Sequence, residues 1–517
     1  MTDNTQGNKR IARNSIFMSL RMIFVLSLTF YATRAVLQIL GVVDYGIYNV
    51  VGSVVSLFSF LNLSISNGIQ RFYNFELDRN GIEGSCRVYN TALRIQIIAA
   101  ILLFILIEVA GIWYINNKMV IPADRTNATL WAFHFSVFGF VIQTLQAPYS
   151  AAIMAHERMD YYAFVSVLDA FLKVGIVFLL PYISFDSLAA YSALYAAISL
   201  LNLLLYAIYA KCKFPEIRFR KKTDTTLFRS MTCFSGWNIF GSFSSIMKEK
   251  GIDIIINLFC GPTLNAARGI SSQVNAGLMS FVSNIIIPVR PQVVQSYAVQ
   301  NYDRTLHLTY GVSRITSCVI ALISLPIILD THYILKLWLG NNIPNYTEPF
   351  VIIVILISFV NNLNSAVSGV IHASGKMMLY QTVSSGVSLM CIPSAYLLLK
   401  YGFSPNYALL AVLVWTTLSQ YASLVILKRV IRFTLTSYLK EVIWPIAQML
   451  LLSSVLPVII RLNLDEGWPR FLLIGFTCVV MTVLCSYLLV MQPTEKEMLK
   501  EYAKKVKSLL QAKQSDA

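Results

Sequence analysis

The stretch SAAIMAHERMDYYAFVS, residues 150–166, returns 218 residues later as SGVIHASGKMMLYQTVS, residues 368–384. Seven of the seventeen positions are identical: Ser150/Ser368, Ile153/Ile371, Ala155/Ala373, Met159/Met377, Tyr162/Tyr380, Val165/Val383 and Ser166/Ser384, with Arg158 falling on Lys376. Chance would supply about one identity, so the chain carries an internal duplication. In both copies the motif is a short polar break between two apolar blocks, and the period therefore sets how the remaining blocks are grouped.

Those blocks dominate the composition. Of 517 residues 56% are hydrophobic and only 13% are Lys, Arg, Asp or Glu, where a soluble domain carries about 25%. Mean hydropathy is +0.63. Fourteen apolar segments are long enough to cross a bilayer, which takes roughly 17–25 residues. They lie near 15–39, 45–68, 88–113, 128–152, 160–182, 187–210, 230–259, 264–289, 306–329, 349–372, 377–399, 405–427, 438–461 and 469–491. The fold class is an all-α polytopic membrane protein. The offset of 218 maps the break after the fourth segment onto the break after the tenth, giving two pseudo-symmetric six-helix lobes of one orientation plus a C-terminal helix pair. Transporters built from paired repeats hold substrate at the repeat interface.

The expected organisation follows. Residues 1–14 form an N-terminal tail, 15–210 an N-lobe, 211–229 a basic linker, 230–427 a C-lobe, 428–491 the last pair, and 492–517 a basic tail. With the N-terminus inside, 28 of the 41 Lys and Arg fall in inner loops and tails and 6 in outer loops. Cytoplasmic loops are rich in Lys and Arg, so both termini are expected to be cytoplasmic. The net charge of +16 is then topology, not a nucleic-acid footprint. The tail 494–513 reads as a basic amphipathic helix on the anionic inner leaflet. The first block follows a basic start, yet its length, Arg21 and Arg34 mark a retained helix rather than a signal peptide.

Several chemistries lack their motifs. There is no G-x-x-x-x-G-K-[ST], no H-E-x-x-H and no CxxC, so neither an ATP motor nor a metal or other cofactor is expected. The loops are too short for a soluble catalytic domain.

Charge inside spans is costly and points to a water-filled cavity or a partner. Arg21 and Arg34 lie on the first segment, with headgroup snorkelling the competing reading for Arg34. Asp169 and Lys173, spaced i,i+4, read as a self-neutralising pair or as an ion relay. The seventh segment, SGWNIFGSFSSIMKEKGIDIIINLF, carries Lys248, Glu249, Lys250 and Asp253, and Lys250 can reach Asp253 at i,i+3. An outer loop over 248–253 is the alternative there. Arg268 opens the eighth segment. His134 reads as a packing residue.

The pattern is similar to the polysaccharide transporter branch of the MOP (multidrug/oligosaccharidyl-lipid/polysaccharide) flippases. The stretch Arg34 to Val51 resembles that family's first hairpin, with Leu40-Gly41 and then Tyr45-Gly46-x-Tyr48, and Gln70-Arg71-Phe72 closes the second segment as in the family. The resemblance implies a non-enzymatic flippase for undecaprenyl-pyrophosphate-linked oligosaccharide, O-antigen or capsule units, in the bacterial inner membrane. It implies alternating access through a cationic central cavity. Arg21, Arg34, Lys248, Lys250 and Arg268 best match the pyrophosphate-binding role, an inference that fits the preference of guanidinium for phosphate. Asp169, Lys173, Glu249 and Asp253 are the ion-coupling candidates, for H+ or Na+. Membrane lipid and polysaccharide-assembly proteins are the further partners, and no nucleic acid is expected. The Asp-rich first hairpin of lipid II flippases is not matched, since Asp44 stands alone, which favours a surface polysaccharide. A MATE-like drug or cation antiporter is the nearest rival, but residues 15–39 contain two Arg and no acid. A membrane polysaccharide polymerase or ligase would carry a larger outer loop.

Overall fold

Two glycines set the path of the chain. Gly41 (φ 76°, ψ 174°) and Gly261 (φ 75°, ψ −175°) interrupt helical runs in nearly the same conformation. A Cβ disfavours such a positive φ, and glycine has none. The two turns stand 220 residues apart, close to the sequence repeat.

The computed structural model describes residues 2–156, 158–220, 224–374, 377–431, 433–493 and 495–497, with side chains from Met22 onward except at scattered positions. The tail 494–513 lies largely outside the described residues, as does the side chain of Arg21.

Every regular element among the described residues is helical. The duplication is visible in the helix ends. One helix stops at Ala155 and the next starts at Met159; their counterparts stop at Ala373 and start at Met377, both 218 residues on. The protein is an all-α, multi-pass membrane protein.

Eleven helices among the described residues are long and apolar enough to cross a bilayer, against the fourteen segments expected. The difference has physical causes. The first two segments join into one helix, Thr2–Leu57, kinked at Gly41. The second also ends early, at Phe58, where Ser59 turns its hydroxyl onto the carbonyl of Ser56 (2.6 Å). The helices Thr225–Ile246, Ile252–Cys260 and Pro262–Ala298 are helical as expected but too polar or too short for a lipid-facing span. Residues 248–253 form a helical turn rather than an outer loop, with the wider π spacing over Met247–Gly251.

The chain divides into two compact units. The first takes Met1–Val274, Trp338–Val354 and Ser385–Trp415; the second takes Asn275–Leu337, Ile355–Ser384 and Thr416–Ala517. The first unit buries Ile47, Val50, Val54, Phe133 and Leu188 in one apolar cluster, and Ile69, Tyr73, Val88, Ile153 and Met231 in another. Its helices touch through small residues, because apolar lipid offers no hydrophobic drive and close approach must supply contact. A Cβ added at Gly139 would lie 3.5 Å from the Cα of Ala196, so the two helices approach closely there. The second unit buries Ala321, Leu325, Val367, Leu427, Met449 and Cys478.

Loop ends of the first unit are tied by one arginine. Arg125 pairs with Asp44 (2.5 Å) and with Asp186 (2.6 Å). Asp186 also caps the helix Ser187–Lys213, accepting from the N–H groups of Leu188 and Ala189 at 3.0 and 3.2 Å. Burial pushes the Asp186 carboxyl up, but Arg125 and the two N–H groups outweigh it and hold the group below its ordinary 3.8. A depressed carboxyl stabilises the fold above its unfolded value and loses that contribution as pH falls through the folded one. The Asp186 arm of the clamp therefore weakens only in acid, whereas burial raises the Asp44 carboxyl above its ordinary value, so the Asp44 arm is lost first as pH falls.

Candidate functional site: a charged pocket between the glycine-turned hairpins

Past Gly41 and Gly261 the chain continues as helix on both sides, and these two segments press together. A Cβ on Gly46 would fall 1.9 Å from the backbone oxygen of Pro262, and one on Gly269 would fall 2.5 Å from Oδ1 of Asn49. Asn49 and Gly269 are themselves 220 apart, like the two turns, so a residue touches its own counterpart in the other repeat. Gly46→Ala is expected to force the segments apart, an overpacking cost of about 1–3 kcal/mol. The melting temperature of the purified variant checks this, and an unchanged value would mean the contact is absent.

Just beyond the contact the side chains become small and polar: Gly52, Ser53, Ser56 and Ser272 leave a cavity of about 180 Å³. Three charged groups enter it, Lys250 and Asp253 from before Gly261 and Arg268 from after it. Asp253 is 5% exposed and Arg268 7%. Ser53 donates to Oδ2 of Asp253 at 2.8 Å. The Nε of Arg268 lies 2.9 Å from Oδ1 of the same carboxylate. Its N–H is not aimed along that line, so both atoms lack a hydrogen bond although they are in ionic contact. Asn265, with its amide turned as its neighbours require, donates to the backbone oxygen of Asp253 at 2.8 Å. Lys250 Nζ stands 3.8 Å from Asp253 and 3.5 Å from Glu249.

Of the pyrophosphate candidates, Lys250 and Arg268 share this pocket. Lys248 is half-buried in the same π turn and is not a wall of the pocket. Arg34 is half-buried on the helix before Gly41 and is not a wall of the pocket. Arg21 has no described side chain. Of the coupling candidates, Asp253 is central and Glu249 is exposed at the edge. Asp169 and Lys173 pair with each other at 2.8 Å, as their spacing allows. Asn202 donates to Asp169 at 2.7 Å, and Lys173 lies over the ring of Tyr195. His134 meets Glu108 at 2.9 Å.

Other ionic contacts were not legible from the sequence. Arg314, counted with the loop cations in the charge reading, is buried within the helix Tyr302–Leu329 and pairs with Glu495 at 2.6 Å. Glu216, 1% exposed, accepts from Tyr73 at 2.9 Å and meets His156. The only available signal for Arg314 was its depth, twelve residues into a helix.

The pocket brings two cations and one carboxylate together. Lys250 and Arg268 outnumber Asp253, leaving the lining one positive charge in excess, and the buried Nε of Arg268 has no hydrogen-bond acceptor.

No family model matches the chain, and comparison with the curated proteins gives no match. Solved structures do match. The lipid II flippase MurJ, in an inward closed conformation, superposes with a TM-score of 0.67 at 12% identity, covering 92% of this chain and 98% of that one. An inward-facing multidrug resistance MATE family transporter of the MOP superfamily gives 0.55 at 11% identity, over 80% and 94%. A MATE transporter of Vibrio cholerae gives 0.56 at 10%, over 84% and 98%. The chain thus has the fold found in transporters of the MOP superfamily. At these identities the likeness is one of fold.

Proposed function

We propose that the protein is a flippase that carries undecaprenyl-pyrophosphate-linked oligosaccharide, a surface polysaccharide repeat such as O-antigen or capsule, across the bacterial inner membrane. It works by alternating access, without covalent chemistry, and both termini are cytoplasmic. The observation that carries the reading is Arg268. A guanidinium 7% exposed lies in a pocket built from counterpart positions of the two repeats, and transporters built from repeats hold substrate at the repeat interface, which supports a cargo role for it. Its planar fork suits a phosphate. The fold shared with a lipid II flippase supports a lipid-linked cargo, and the unmatched Asp pattern of the first hairpin supports a glycan other than lipid II.

In this reading Lys250 and Arg268 receive the pyrophosphate, and Arg21, Arg34 and Lys248 extend its route. Asp253 is the first choice for coupling to H+ or Na+, ahead of Glu249, Asp169 and Lys173. Residues 15–210 and 230–427 act as the two lobes, joined by the linker 211–229 and followed by the pair within 428–491; the tails 1–14 and 492–517 face the cytoplasm. Polysaccharide-assembly proteins would supply and remove the cargo.

The test is ligand-induced thermal stabilisation of the detergent-purified protein. A ligand that binds only the folded state stabilises it by about 2.7 kcal/mol at a hundred times its Kd. A short-chain prenyl pyrophosphate is expected to raise the melting temperature, and Arg268→Gln to remove the rise. Stabilisation by lipophilic cations alone would replace the flippase with a MATE-like antiporter. That rival rests on the transporters sharing this fold.

A further inference from the structure

The second unit holds a cavity of about 190 Å³ whose shape is that of an amphiphile. One wall is the helix Tyr302–Leu329, contributing Arg314, Cys318 and Leu322 on successive turns. The other is the helix Trp468–Cys485 with its continuation Ser486–Val490, contributing Val490, Ser486 and Thr482 in the reverse order. Eight residues separate Arg314 from Leu322, so the slot runs about 12 Å along the helix axis. Ile315, Val319 and Val483 complete an almost wholly apolar lining.

The mouth is polar. Arg314 sits beside Glu441, in the turn Leu439–Ile443 that leads into the helix Trp444–Asn463, and Glu495, beyond Val490, so the charged groups gather at one end of the slot. Its Nη2 donates to Glu495 at 2.6 Å, and its Nη1 donates to the backbone oxygen of Glu441 at 3.4 Å. Its Nε, buried, has no acceptor. Glu495 is itself held by the backbone N–H of Gln492 at 2.9 Å. At the deep end the hydroxyl of Thr482, 1% exposed, also lacks a partner. A buried cation with a free donor at one end of an apolar slot about 12 Å long calls for an anion carrying a hydrocarbon chain, part of which the slot would hold. Glu495 shows the kind of group the guanidinium takes.

We propose that this slot seats an anionic phospholipid, one acyl chain lying along Val319, Leu322 and Val483 and a phosphate oxygen on Arg314, in competition with Glu495. The inference does not depend on the cargo of the first unit. Glu495 is then a built-in counter-ion that holds Arg314 when no lipid is bound.

The experiment is native mass spectrometry and thermal unfolding of the full-length detergent-purified protein titrated with phosphatidylglycerol or phosphatidylcholine. The wild type is expected to retain phosphatidylglycerol about tenfold better, the worth of one charge-assisted hydrogen bond. Arg314→Gln removes the preference, and Val319→Trp, which fills the slot, removes retention. Glu495→Gln strengthens retention, and the stability it loses returns with phosphatidylglycerol but not with phosphatidylcholine. Equal retention of the two lipids by the wild type would overturn the proposal. So would a preference unchanged in Glu495→Gln and Val319→Trp, which decide the matter if Arg314→Gln does not fold. Protection by inorganic phosphate alone would make this a free-anion site, and displacement of phosphatidylglycerol by a short-chain prenyl pyrophosphate would make it part of the transport route. Either result overturns a resident phospholipid.

Discussion

Arg314→Met is expected to lower the stability of the purified protein by about 3–5 kcal/mol, the usual consequence of removing one partner of a buried ion pair. The size follows from what stays behind. Arg314 is 1% exposed, and Glu495, its side chain 15% exposed, would keep a carboxylate with no cation in reach of the 2.6 Å contact it now makes. The carbonyl of Glu441 would also lose a donor. The double variant Arg314→Met/Glu495→Leu is expected to recover most of the loss, because replacing both charges with apolar groups of similar volume removes the desolvation cost along with the attraction. Unfolding in detergent without added anionic lipid measures both. A single variant as stable as the wild type would mean that Glu495 and Arg314 do not meet in solution.

Arg314 also marks where the sequence stopped being readable. Arg314 falls inside the segment expected at 306–329, twelve residues into the helix Tyr302–Leu329, yet it was counted with the loop cations rather than among the span charges. Its partner is 181 residues away, beyond any helical spacing rule. Local pairs were legible for the opposite reason. Asp169 and Lys173 share a helix face at i,i+4, and Lys250 and Asp253 do so at i,i+3, so spacing alone foretold contacts of 2.8 and 3.8 Å. The Arg268–Asp253 contact lies between these cases: both residues stood out as charges in membrane helices, but only the turn at Gly261 brings them face to face.

The fold was more legible than the site because apolar period and breakers act locally. Ser187 with its Asp186 cap, and Lys428 and Lys400 closing their helices, sit within a few residues of the expected ends. The fourth and tenth segments, expected to end near 152 and 372, end at Ala155 and Ala373, a few residues on. The miscounted spans failed where polarity and backbone geometry overrode hydropathy, at the kink of Gly41, the early end at Phe58 and the charged turn Met247–Gly251.

The largest functional effect is expected at Arg268. If the pyrophosphate exchanges places with Asp253 on this guanidinium, Arg268→Gln loses charge-assisted hydrogen bonds worth about 1.5–3 kcal/mol each, roughly a hundredfold in transport when two are lost. Arg268→Lys keeps the charge but not the fork and is expected to retain part of the activity. Asp253→Asn moves the two measured quantities in opposite directions. With its resident carboxylate neutralised, Arg268 binds the anion more tightly, yet it has no internal partner to take the guanidinium back when cargo leaves. Binding of a short-chain prenyl pyrophosphate should therefore strengthen while turnover in proteoliposomes falls. Ser53, which donates to Asp253 at 2.8 Å, orients that carboxylate, so Ser53→Ala should shift both quantities the same way by less. Full transport by Arg268→Gln would end the phosphate reading. Loss of binding in Asp253→Asn would leave Arg268 as the cargo ligand but make Asp253 a support that orients it, not a competitor that releases it.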